Sequence, residues 1–166
     1  TFTVTISNPT NSLQVITAGS ADTGVCTITD DETAPVFTIS SPAITEFTDP
    51  TATFTISMSG LSDVDESVDY QTFDGVLGPT LGGAKTATDA GPDYTATSGT
   101  KTFTQAGGQL EMTFDVSIAN DAVWESNGTP ETFTVTISNP TNSLQVITAG
   151  SADTGVCTIT DDETAP

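Results

Sequence analysis

The segment TFTVTISNPTNSLQVITAGSADTGVCTITDDETAP occupies residues 1–35 and returns, letter for letter, as residues 132–166. The offset is 131 residues (132 − 1), so Phe2 reappears as Phe133, Cys26 as Cys157 and Asp30 as Asp161. Chance does not produce an identity of this length, and the period is about that of one domain. The chain therefore reads as part of a tandem array. Residues 1–35 are the last strands and linker of one repeat, and residues 36–166 are a complete repeat of the same kind. One such unit is long enough to bury its own core. A repeated chain of this type points away from a free-standing enzyme.

Charge narrows the reading further. The net charge is −20, from 22 acidic residues against two lysines, Lys85 and Lys101, and histidine is absent. Binding to nucleic acid needs a basic stripe to neutralise phosphates, and none exists. An anionic membrane surface would repel the chain for the same reason. Disorder does not follow from this acidity, because 35% of the residues are hydrophobic and they alternate with polar ones at the period of a strand. A folded β-protein that repels itself until a cation binds fits better, and divalent ions are the candidates. Each repeat carries one cysteine, Cys26 or Cys157. Two equivalent positions of successive units do not meet in one stiff chain, which leaves a buried core thiol or a lateral disulfide between chains.

Period-two patterning recurs throughout. TFTVTIS sets Phe133, Val135 and Ile137 on one face and threonines on the other; TATFTISMS does so with Phe54, Ile56 and Met58, and EMTFDVSI with Met112, Phe114, Val116 and Ile118. Half-buried antiparallel strands require this alternation. Together with Cys157 and Ile159, residues 54, 56, 114, 116, 133, 135 and 137 form the expected core. Strands lettered A to G are expected over residues 36–40, 51–59, 67–73, 94–103, 109–118, 131–138 and 155–160, divided by turn clusters such as SNPTNS and QAGG. This predicts an all-β fold, an immunoglobulin-like seven-stranded antiparallel β-sandwich. Residues 75–90 form a glycine-rich insertion between C and D. Residues 1–35 contribute only F and G of their unit, and a two-stranded ribbon is marginal alone. A neighbouring repeat of the same protein, or another copy of the chain, is expected to complete it.

Strand parity sorts the loops to two poles. The A–B, C–D and E–F loops and the end of G share one pole, which collects Glu46, then Asp74, Asp89 and Asp93, then Asp121, Glu125 and Glu131, and finally Asp161, Asp162 and Glu163. Like charges gathered from four segments repel unless cations compensate. Carboxylate oxygens without histidine suit Ca²⁺ better than zinc or copper. A merely solvated acidic rim would read the same way from spacing alone.

The stretches ATDAGPDYTATSGTKTFTQAGG, VSIANDAVWESNGTPETFTVTISNPTN and CTITDDE together resemble a Calx-beta domain over residues 36–163, the C–D insertion apart. The family includes the calcium-binding domains of sodium–calcium exchangers, an integrin β4 module and repeats of large bacterial surface proteins. The resemblance implies Ca²⁺ ligands at Glu46, Asp93, Glu125, Glu131, Asp161, Asp162 and Glu163. At the start of the E–F loop, Ala119 and Asn120 replace two acids of the family's run and only Asp121 remains, so one or two ions per domain are expected. The linker acids Asp30, Asp31 and Glu32 repeat the terminal triplet and are expected to hold an ion at the junction between units.

The identical repeats and the extreme acidity favour the first of two functions over the second. The first is a calcium-stiffened structural extender of a secreted or cell-surface fibre or adhesin, whose partners are neighbouring repeats. The second is a calcium-sensing regulatory domain. An enzyme is disfavoured, since no serine, cysteine or lysine has a recognisable base beside it and histidine is absent. Outward threonine arrays suggest ice or surface binding only weakly, because threonine is simply a good solvent-facing strand residue.

Overall fold

The computed structural model describes residues 1–10, 15–16, 22–75, 85–86, 93–120, 122, 130–141, 146–147 and 153–163. The chain divides into two compact units, Thr1–Thr33 and Ala34–Pro166. In the first, β1 (Phe2–Thr5) and β2 (Thr23–Cys26) form an antiparallel ribbon with Phe2 opposite Cys26 and Thr5 opposite Thr23. Every residue of β1 is exposed.

The second unit is a two-sheet sandwich. Its strands, in chain order, are β3 (Val36–Ile39), β4 (Ala43–Thr45), β5 (Thr51–Met58), β6 (Glu66–Asp74), β7 (Lys85–Thr86), β8 (Ser98–Phe103), β9 (Glu111–Ser117), β10 (Glu131–Ser138), β11 (Val146–Ile147) and β12 (Thr154–Thr160). One sheet runs β11-β3-β5-β9; the other runs β4-β12-β10-β6-β8, with β7 also paired to β10. Strand β10 alternates buried and half-buried residues along its length, as the Phe-Thr-Val-Thr-Ile sequence demands when one face meets the other sheet. All nine core residues expected from the alternation are buried, with Phe54, Ile56, Val116, Phe133, Val135, Cys157 and Ile159 at 0% exposure. Aromatic rings fill the interior: Phe54 stacks on its cross-strand partner Phe114 at 5.4 Å and reaches the other sheet at Phe133, 6.0 Å away, on which Tyr94 stacks at 4.2 Å.

Strands A and D differ in extent from the sequence reading, and the two-residue strands β7 and β11 have no counterpart in it. Strand A does not stop at Ser40; it leaves the first sheet after Ile39, opposite Ile56, and re-enters the second as β4, parallel to β12. The switch is held on both sides. The Ser40 N–H donates to the Thr55 carbonyl (2.9 Å) while the Ser41 hydroxyl accepts the Val156 N–H (3.1 Å) and the Pro42 carbonyl accepts that of Thr158 (3.1 Å). Gly155 makes room for it, since a Cβ there would run into the Ser40 carbonyl oxygen. Three residues behind a proline are too short to show a period, so β4 left no trace in the pattern. Strand D starts at Ser98 rather than Tyr94, which makes only a single bridge to Ile118 beyond the end of β9. The expected insertion at residues 75–90 is described only at Gly75 and at β7, which runs alongside Glu131 and Thr132.

Candidate metal centre

The parallel pairing of β4 with β12 sets Thr45 beside Thr160, so the next residue on one side is Glu46 and on the other Asp161. The Glu46 N–H donates to the Thr160 carbonyl (3.2 Å), and the Glu46 side chain is 5% exposed. After it, Asp49 closes a turn. Its carboxylate accepts the Thr45 N–H at 2.9 Å, and its own N–H donates to the Thr45 carbonyl at 2.9 Å. Asp49 was not read from sequence as part of this end, although an Asp-Pro pair four residues after Thr45 is a turn signal.

Across from this turn the chain leaves β12 through Asp161-Asp162-Glu163. The Asp161 carboxylate accepts the Glu163 N–H (3.1 Å), which folds the acidic run back on itself. Carboxylate oxygens of Glu46, Asp162 and Glu163 then lie within 4.8 Å of one another. The Glu163 carboxyl is pushed above its ordinary range, first by its hydrogen bond with Asp161, then by enclosure and by the negative charges of Asp162 and Asp161. Its Oε2 is enclosed and has no hydrogen-bond partner among the described residues. Three carboxylates from two segments, one of them with an enclosed and unbonded oxygen, supply the kind of hard donor that a divalent cation takes. Glu46, Asp162 and Glu163 would hold such an ion, with Asp161 orienting the run.

Other expected ligands fall as follows. Glu131 is buried (5% exposed) at the head of β10, opposite Ile159, with its side chain on the inner face. Asp93 is buried as well, and its carbonyl accepts the Ala119 N–H at 3.0 Å. The Ile118 N–H donates to the Pro50 carbonyl at 3.0 Å. The A–B, C–D, E–F and G segments thus meet at one end of the sandwich, though Asp93 and Glu131 are not members of the 4.8 Å group. Asp74 is engaged otherwise, accepting the Tyr94 hydroxyl at 2.7 Å. Asp121, Glu125 and Asp89 lie outside the described residues. Asp30, Asp31 and Glu32 are exposed in the first unit and form no such group among the described residues.

The acids of the opposite end serve the fold. Glu66 is fully buried at the head of β6 and accepts the Ser62 hydroxyl (2.8 Å), and Asp65 accepts the Gln105 N–H (2.8 Å). On the face of β6, hydrogen bonds from Thr100 and Asn139 hold the Asp69 carboxyl below its usual range.

The Calx-beta domain family model matches residues 30–163, and the chain belongs to that family. Among solved structures, it is similar to the apo-form Calx CBD1 domain (TM-score 0.61, 20% identity, covering 78% of this chain and 98% of that one). It is also similar to CBD12 from CALX1.2 (TM-score 0.59, 20% identity, 76% of this chain and 44% of that one). A third is a two-domain protein of unknown function from Bacteroides fragilis (TM-score 0.55, 11% identity, 80% of this chain and 47% of that one). The chain spans less than half the length of the last two. At these identities the likeness is one of fold. No curated protein matches the chain. Among the described residues no helix is long and apolar enough to cross a membrane.

Proposed function

We propose that this chain is a calcium-binding regulatory domain of the Calx-beta class, with the ion held between the turn after β4 and the run after β12. The observation that carries the reading is the convergence of Glu46, Asp162 and Glu163 oxygens within 4.8 Å in a protein of net charge −20. Repulsion loosens that end in the absence of a cation, and a bound ion draws the two segments together, so occupancy controls order there. Two of the similar structures being Calx domains supports the regulatory reading. The chain acts by binding, not catalysis.

The exact recurrence of residues 1–35 favours a second reading, a calcium-stiffened extender in a secreted or cell-surface fibre or adhesin. In it, the linker acids Asp30, Asp31 and Glu32 hold an ion between repeats.

Calcium titration by calorimetry, with parallel thermal melts, tests the proposal. An ion that binds only the folded state stabilises it by about 2.7 kcal/mol at a hundredfold excess over Kd. Glu46→Gln with Asp162→Asn should abolish that gain. Identical melts in calcium and in chelator would reject the site. Small-angle scattering separates the readings: lengthening of the whole chain with calcium supports the extender, and a change confined to the Glu46 end supports regulation.

A further inference from the structure

The two outer faces of the sandwich are unlike. Outside β5 and β9 stand Thr51, Thr53, Thr113, Asp115 and Ser117, ordinary solvent-facing strand residues without an aromatic among them. Outside β6 stand Asp69, Gln71 and Phe73, alternating with Val68, Tyr70 and Thr72 on the inner side. Phe73 keeps 47% of its surface in solvent and lies in one row with Thr134 of β10 and Val156 of β12, itself 38% exposed. A lone exposed ring needs no explanation, but this one borders a groove. Two residues back along β6, about 7 Å from Phe73, Gln71 enters a groove of about 320 Å³ that it shares with Asp69, Ser98, Thr100, Ser138 and Asn139.

The carboxylate in the groove is fixed in place. The Thr100 hydroxyl donates to Asp69 Oδ1 (2.6 Å) and Asn139 Nδ2 donates to Oδ2 (3.1 Å). Each of those oxygens keeps a second lone pair, while the Gln71 amide and the Ser98 and Ser138 hydroxyls can both donate and accept. A fixed acceptor, an amide and hydroxyls beside one apolar ring complement a ligand with a rim of hydroxyls and a face of C–H groups. A sugar ring has this form. We propose that the outer face of β6, β8 and β10 binds a neutral glycan chain, with one sugar stacked on Phe73 and its neighbour hydrogen-bonded to Asp69 and Gln71 in the groove. Neutrality follows from charge. The chain carries −20, and no cation among the described residues lines the groove to meet a sulfate or a carboxylate. Lys101 of β8 alternates to the inner side with Gly99 and Phe103.

Affinity electrophoresis of the full chain tests the assignment. Separate gels would contain mannan, mixed-linkage β-glucan, xyloglucan or galactan, with dextran sulfate and polylysine as charged probes. The result expected is retardation by at least one neutral polysaccharide, unchanged between about 0.05 and about 0.5 M salt because uncharged contacts are not screened. Phe73→Ala should weaken it about tenfold or more and Phe73→Tyr should keep it, since the ring supplies the stacking surface. Gln71→Ala should weaken it as well, whereas Thr53→Ala on the opposite outer face should leave it unchanged. No retardation by any neutral polysaccharide overturns the proposal, as does retardation that Phe73→Ala leaves intact. Retention by dextran sulfate or polylysine alone, lost at the higher salt, would make this a face for a charged partner and overturn it equally. Thermal melts of each variant accompany the gels. If Phe73→Ala does not fold, Gln71→Ala against Thr53→Ala decides, and equal retention in those two overturns the proposal.

Discussion

Phe2 and Phe133 stand at the same place in the same sequence, so replacing each by alanine separates local structure from packing. Phe133 is 0% exposed, stacked on Tyr94 and tilted against Phe54, whereas Phe2 keeps 51% of its surface in solvent. A buried aromatic removes about 150–250 Å² from water, and at roughly 25 cal/mol per Å² this is about 4–6 kcal/mol. Measured Phe→Ala changes in cores cost about 3–5 kcal/mol. We expect Phe133→Ala to cost about 4 kcal/mol and Phe2→Ala less than about 0.5 kcal/mol, the usual range for a surface change. Urea unfolding followed by circular dichroism measures both. With a slope of about 2 kcal/mol per molar, the midpoint of Phe133→Ala should fall by about 2 M and that of Phe2→Ala should hardly move. A cost below about 1 kcal/mol for Phe133→Ala, or equal costs at the two positions, would refute the packing argument.

Other outcomes follow from the metal-end geometry and the interior. A carboxyl whose value is raised in the folded state, as at Glu163, contributes stability below the unfolded value and loses it as pH rises through the folded one. Compared with Glu163→Gln, the metal-free protein should therefore lose stability as pH rises through the carboxylate range, and saturating calcium should cancel the difference; superimposable profiles would contradict this. Tyr94→Phe keeps the stack on Phe133 but leaves Asp74 without its 2.7 Å donor. It should cost about 1.5–3 kcal/mol in the same urea assay, the range for a hydrogen bond to a charged group. Burial pushes the Cys157 thiol up to about 12, so native protein should resist alkylation there at pH 8 while Cys26 reacts; equal rates would mean that the core opens freely.

Much of the fold was legible because strands write their burial directly into alternating letters. Strand β10 spans Glu131–Ser138, as its alternation implied, and every expected core position is buried. Glu46, Asp162 and Glu163 were reached through loop parity and family resemblance, and the structure brings these three together. The sheet switch at Ser40–Pro42 was not legible, since it depends on Gly155 making space from more than a hundred residues away. Nor was the tie between Tyr94 and Asp74, which joins two ends of an insertion.

The duplicated segment draws the boundary most sharply. In both copies the register is the same, the asparagine after the first strand is left-handed (φ 53° at Asn8, 51° at Asn139), and a threonine hydroxyl meets the neighbouring aspartate at 3.2 Å. Hairpin and turn were thus determined by local sequence, through contacts that close within a few tens of residues. Burial was not: Cys26 is exposed where Cys157 is enclosed. The acidic triplet behaves alike, exposed as Asp30-Asp31-Glu32 and gathered against Glu46 as Asp161-Asp162-Glu163. A covered face and a candidate ion site both require partners from distant sequence, β5 and β9 for one and β4 for the other, and only the tertiary structure supplies them.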